Sequence, residues 1–74
     1  MQLPTIKARK LVRILYNMKF VSDRQTGSHE CFKHPDGRTT FVPHHGNKQE
    51  IDRGLLHQIL REINITDEEF MKWL

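Results

Sequence analysis

The sequence predicts a two-layer α+β domain with the order helix, three antiparallel strands, helix, both helices lying on one face of the sheet. Three observations predict it. An amphipathic run of helical period opens the chain, and a second one lies near its end. Between them, three short segments with partial two-residue alternation are separated by strong turn signals. The chain has 74 residues, so residues 1–74 are expected to form one domain. A chain this short buries only about 60% of its unfolded surface.

Each element has its own warrant. Thr5 is placed to cap a helix from Ile6 to Met18, in which Ala8, Leu11, Val12, Leu15 and Met18 fall on one arc. Lys7, Arg9, Lys10 and Arg13 fall on the other side and form a cationic stripe. Phe20 to Gln25 reads as a first strand. Gly27-Ser28 fits a two-residue hairpin turn of type II′, with glycine supplying the positive φ. Glu30 to His34 is the second strand. Pro35-Asp36-Gly37 is a turn, and Arg38 to Val42 is a third strand that Pro43, lacking an N–H, should end. After a loop from His44 to Asp52, Leu55, Leu56, Ile59, Leu60 and Ile63 mark a helix from about Arg53 to Ile63. Thr66-Asp67-Glu68-Glu69 is a capping box for a short terminal helix with Phe70, Trp73 and Leu74 on its apolar side.

Composition narrows the function classes. A hydrophobic fraction of 36% with 28% charged residues suits one small core. No apolar run approaches the roughly 20 residues that span a bilayer. Residues 1–10 lack the apolar segment of a signal peptide, so a cytoplasmic protein is expected. The one cysteine, Cys31, excludes an intrachain disulfide and reads as a plain strand thiol. The net charge is +3, but it is unevenly spread. Residues 1–48 carry nine Lys/Arg against three Asp/Glu, and residues 49–74 carry three against six. The basic part also holds the hairpin around His29, as expected for a polyanionic partner.

His29 closes the run Thr26-Gly27-Ser28-His29 at the mouth of that hairpin. A histidine titrates near pH 6.5 and serves as acid or base. RNA carries its own nucleophile, the 2′-hydroxyl, so its cleavage needs proton transfers and cations for the phosphate rather than a protein nucleophile. One positioned acid–base group contributes roughly 10²–10⁴-fold. Backbone N–H groups of Gly27 and Ser28 are candidate donors to a nonbridging oxygen, and Arg24, Lys33 and Lys48 are candidate phosphate contacts. Alternation puts Phe32 in the core with Glu30 and Ser28 on its side. His29, Cys31 and Lys33 then point to the other, open face. A bulge at the hairpin would invert this register.

The segment order and the strings Thr26-Gly27-Ser28-His29, His34-Pro35-Asp36-Gly37-Arg38, Val42-Pro43-His44-His45-Gly46-Asn47-Lys48 and Gly54-Leu55-Leu56-His57-Gln58-Ile59-Leu60 resemble the HicA family of small RNA-cleaving toxins over nearly the whole chain. The resemblance implies a double-stranded-RNA-binding-domain-like fold, an endoribonuclease that cuts mRNA, His29 as its catalytic residue with Gly27 as the adjacent motif glycine, and a HicB-like antitoxin that covers the active face. Two departures stand out. Glu30 follows His29 where a basic or aromatic residue is more usual, and Ile63-Asn64-Ile65 stands where relatives often have glycine. The fold permits other functions. A non-catalytic double-stranded-RNA-binding module would use Lys7, Arg9, Lys10 and Arg13, and an interaction protein would dock partners on the terminal helix.

The remaining histidines point elsewhere. Adjacent His44 and His45 lack the usual spacing of metal ligands, so neither a metal nor a cofactor is expected. His45, Asn47 and Lys48 are read as loop-ordering or RNA-contacting residues, and His57 as a solvated position on the second helix.

Overall fold

The computed structural model describes residues 3–43 and 50–74. Among these, the elements run β1 (Ile6–Lys7), α1 (Ala8–Asn17), β2 (Val21–Thr26), β3 (His29–Lys33), β4 (Thr39–Pro43), β5 (Glu50–Ile51), α2 (Arg53–Glu62) and α3 (Asp67–Met71). The expected α+β arrangement is the one observed, with β2, β3 and β4 forming an antiparallel three-stranded sheet.

The start of α1 differs from expectation. Lys7 is its N-cap and provides no side-chain cap. Ile6 and Lys7 instead pair with Ile51 and Glu50 in a two-stranded ribbon. The Thr5 hydroxyl, free of capping duty, donates to Glu50 Oε1 at 3.3 Å. A pairing only two residues long carries no hydrophobic period, so the sequence does not announce it. Once begun, α1 buries Ala8, Leu11, Ile14 and Leu15 and leaves Arg9, Lys10 and Arg13 exposed.

Both long helices end the same way. Phe20 N–H donates to Leu15 C=O and Lys19 N–H to Tyr16 C=O; Ile65 N–H donates to Leu60 C=O and Asn64 N–H to Arg61 C=O. This is the Schellman pattern, which requires a left-handed residue just past the cap. Lys19 (φ 77°) and Asn64 (φ 59°) take that conformation without being glycine. The missing glycine near Asn64 is thus met by asparagine, the residue that tolerates the left-handed region next best. At the other end of α2, Asp52 accepts a hydrogen bond from Leu55 N–H at 2.8 Å. The expected capping box of α3, Thr66 with Glu69, is complete.

The inner sheet face carries Phe32, Thr40 and Val42, all buried. The ring of Tyr16 on α1 meets Phe32 edge-on at 5.7 Å between centroids. The hydroxyl of Thr40 donates to Glu62 Oε1 on α2 at 2.6 Å. Both helices therefore cover this face, and one core cluster joins them to the sheet, with Phe70 of α3 included. Trp73 and Leu74, expected beside Phe70, lie beyond α3 and are exposed. Pro43 pairs in register with His29 and so belongs to β4 as its last residue.

The turn between β3 and β4 is tied to the end of α2 through Arg38. Its Nε donates to Asp36 Oδ2 at 2.8 Å and its Nη1 to the carbonyl of Ile63 at 2.7 Å. Its guanidinium also lies 5.2 Å from the centroid of the buried Phe20 ring. The Arg38 backbone N–H, followed by the charges of Arg38 and His34, holds the Asp36 carboxyl below its ordinary value of 3.8. A carboxylate with a lowered folded-state pKa contributes stability above its unfolded pKa, and that contribution is lost as pH falls through the lowered value.

Candidate active site

The hairpin that carries His29 is built as the sequence implies. Thr26 pairs with His29 across a two-residue turn. Gly27 has a φ of +60° while Ser28 has no positive φ, as a type II′ turn requires. A Cβ added at Gly27 would meet nothing within 4 Å. Glycine is therefore required here by backbone conformation, and not by crowding. Gly27 and His29 are exposed, and Ser28 is half-buried.

The register of β2 decides which cations share the face of His29. The pairs Thr26–His29, Gln25–Glu30 and Arg24–Cys31 run in step from the turn. The next pair is Ser22–Phe32, so Asp23 is an extra residue, a β-bulge. Counted from the turn, Arg24 falls opposite Cys31 before the bulge is reached, and the bulge shifts only Ser22 and Val21. The two-residue turn thus aligns Arg24 with Cys31 on the outer face, the side of His29. The bulge lies within β2 rather than at the turn, so the alternation of β3 survives. Glu30 is half-buried on the opposite side from His29 and accepts a hydrogen bond from the Ser22 hydroxyl.

Distances along the strand separate the candidate cations. Lys33 is four residues from His29, or roughly 13 Å at about 3.3 Å per residue. Arg24 stands level with Cys31, two residues along and one strand over, and its guanidinium lies 4.0 Å from Asp23. Its long side chain can reach back toward His29. Lys48, with His44, His45 and Asn47, lies outside the described residues.

The outer face is not open throughout. Cys31 is only 3% exposed, because its register partners Arg24 and Phe41 flank the central strand with long side chains. Beside it, His29, Phe41 and Pro43 of the sheet meet Leu55, Gln58, Ile59 and Glu62 of α2 in a cleft of about 300 Å³. Phe41, Gln58 and Glu62 are set apart by no catalytic motif in the sequence. Their signal was available. Phe41 falls on the outer phase of a strand whose Thr40 and Val42 point inward, and Gln58 and Glu62 are one helical turn apart, next to Leu55 and Ile59.

The other histidines stay outside this cleft. His34 meets the Phe20 ring at 5.0 Å and lies 3.0 Å from Asp36. His57 is exposed on α2, as expected, and its Nδ1 lies 3.4 Å from Asp67. Among the described residues, no group of three or more His, Cys, Asp or Glu is arranged to hold a metal ion. No helix among them is long and apolar enough to cross a membrane.

A family model described as HicA toxin of bacterial toxin–antitoxin matches residues 8–65. The chain belongs to the HicA toxin family. The match runs from the first residue of α1 to just beyond α2, so it includes the hairpin, Arg24, Lys33 and every residue of the cleft. Membership makes the chain the toxin of a toxin–antitoxin system, which implies an antitoxin as its partner. No curated protein matches the chain.

Proposed function

We propose that this HicA toxin is a cytoplasmic endoribonuclease that cleaves mRNA with His29 as general acid–base, and that a HicB-like antitoxin inhibits it. The observation that carries the reading is the placement of His29. It is an exposed imidazole at the start of β3, beside a cleft, on the face that Arg24 shares. In the proposed reaction the 2′-hydroxyl oxygen bonds to phosphorus while the bond to the 5′-oxygen breaks. His29 performs one of the two proton transfers, taking the 2′-hydroxyl proton or protonating the leaving 5′-oxygen. Arg24 neutralises charge on the phosphate, with N–H groups of Gly27 and Ser28 as further donors. Lys33 and Lys48 are assigned to flanking phosphates, where they add salt-sensitive affinity.

No step in this scheme uses a divalent metal. Purified toxin is therefore expected to cut single-stranded RNA in EDTA. Complete loss in chelator, restored by Mg²⁺ or Zn²⁺, would contradict the mechanism. Salt-sensitive binding to duplex RNA without any cleavage would instead favour the double-stranded-RNA-binding module, for which the exposed Arg9, Lys10 and Arg13 of α1 are suited.

The antitoxin is proposed to act by occlusion. A cationic face used on RNA attracts an acidic partner, since opposite potentials steer association. Covering His29 and Arg24 blocks RNA without any change of fold. Hydrogen exchange on the complex should then show protection across residues 26–34. Protection confined to residues 66–74 would show that the antitoxin grips the chain end and leaves the His29 face open.

A further inference from the structure

The cleft beside His29 is built unlike a phosphate site. Phe41, Pro43, Leu55 and Ile59 give it apolar walls, and Gln58 and Glu62 stand at its helical side. Phe41 is 43% exposed although it is a large aromatic residue on a strand. Small-ligand sites combine such walls with a few placed polar groups, in clefts from roughly 300 Å³ upward. Glu62 is one of those placed groups. The hydroxyl of Thr40, itself only 1% exposed, donates to its Oε1 at 2.6 Å and fixes the carboxylate. Oε2 is the oxygen this bond does not use.

We propose that this cleft is a nucleobase subsite, in which Phe41 stacks on the base next to the scissile phosphate and Gln58 and Glu62 read its hydrogen-bonding edge. The inference rests on RNA being the substrate. An exposed aromatic beside cations is the standard way to hold an unpaired base, because every base has a π-face. The basic balance of residues 1–48 and the alignment of Arg24 with the His29 face supply the matching charge for the backbone. Chemistry also sets a preference. An ionised carboxylate only accepts hydrogen bonds, so the favoured bases present an amino group on the Watson–Crick edge. Adenine, cytosine and guanine do so, whereas uracil offers only N3–H between two carbonyl oxygens that repel a carboxylate.

The test uses the intact protein and single-stranded 2′-O-methyl RNA pentamers that differ only at the central base. These bind but lack the nucleophile. Affinities should rank uracil last. Phe41→Leu, which keeps apolar bulk but removes the flat ring, should weaken binding about ten-fold, the size of one base–aromatic stack. Phe41→Trp should retain it. Glu62→Gln should reduce the discrimination against uracil in the same binding measurements. Equal affinity for all four bases, or equal binding by the leucine and tryptophan variants, would overturn the subsite. A collapse of kcat in Glu62→Gln with base preference intact would overturn it too, because Glu62 would then be moving protons. If Phe41→Leu leaves RNA binding unchanged but weakens the antitoxin complex, the cleft is a protein-docking groove and the proposal falls. Cleavage of ordinary RNA by the wild-type protein is scored separately, so loss of the subsite and loss of the nuclease reading give different results.

Discussion

His29→Ala is expected to lower RNA cleavage by at least about 10²–10⁴-fold, the contribution of one positioned acid–base group. Toxicity on expression should disappear with it. The side chain stands exposed at a hairpin end, where truncation changes stability by no more than about 0.5 kcal/mol. Melting temperature should therefore stay close to wild type, which separates a chemical loss from an unfolded one. The decisive measurement is single-turnover cleavage by the folded variant. A rate within a few-fold of wild type would remove His29 from the chemistry and shift attention to the cleft carboxylate.

The largest effect on stability is expected at Phe20, a residue remote from the chemistry. Its ring is fully buried, packs edge-on against His34 at 5.0 Å, and lies under the Arg38 guanidinium. It also closes α1 as the second residue past its cap. Phe20→Ala removes a core aromatic, a change that costs about 3–5 kcal/mol. A single core in a chain below about 80 residues rarely supplies more than about 3–5 kcal/mol in total. The variant should be largely unfolded at 37 °C in the absence of antitoxin. Cooperative unfolding within 1 °C of wild type would show that the turn, α1 and the sheet are held together by something else.

Much of this fold was legible in the sequence, for reasons that differ between elements. α1 and α2 carry strong helical periods, and the capping box of α3 is the expected one. The Gly27-Ser28 turn fixed the hairpin register, since its dihedral demand admits few residues. What escaped was either short or non-local. The β1–β5 pairing joins positions more than forty residues apart through two residue pairs. The Asp23 bulge leaves no mark in a strand whose six residues are all exposed. At the site, His29 stood out because its hairpin is local. Phe41, Gln58 and Glu62 did not, because their cleft forms only when α2 packs on β4. The burial of Cys31 has the same origin, since single-strand alternation takes no account of cross-strand neighbours.

The bulge in β2 has a consequence for the toxin once its antitoxin is gone. Among the described residues β2 pairs with β3 alone, so its outer side offers backbone donors and acceptors to any extended chain, including a second copy. A flat strand there would invite intermolecular pairing and aggregation. β2 is instead kinked at Asp23, carries Asp23 and Arg24 side by side, and has Val21 as its only aliphatic residue. On the opposite margin, β4 packs against α2. The extra residue at Asp23 therefore also breaks the regular edge along which a second copy of the toxin would pair.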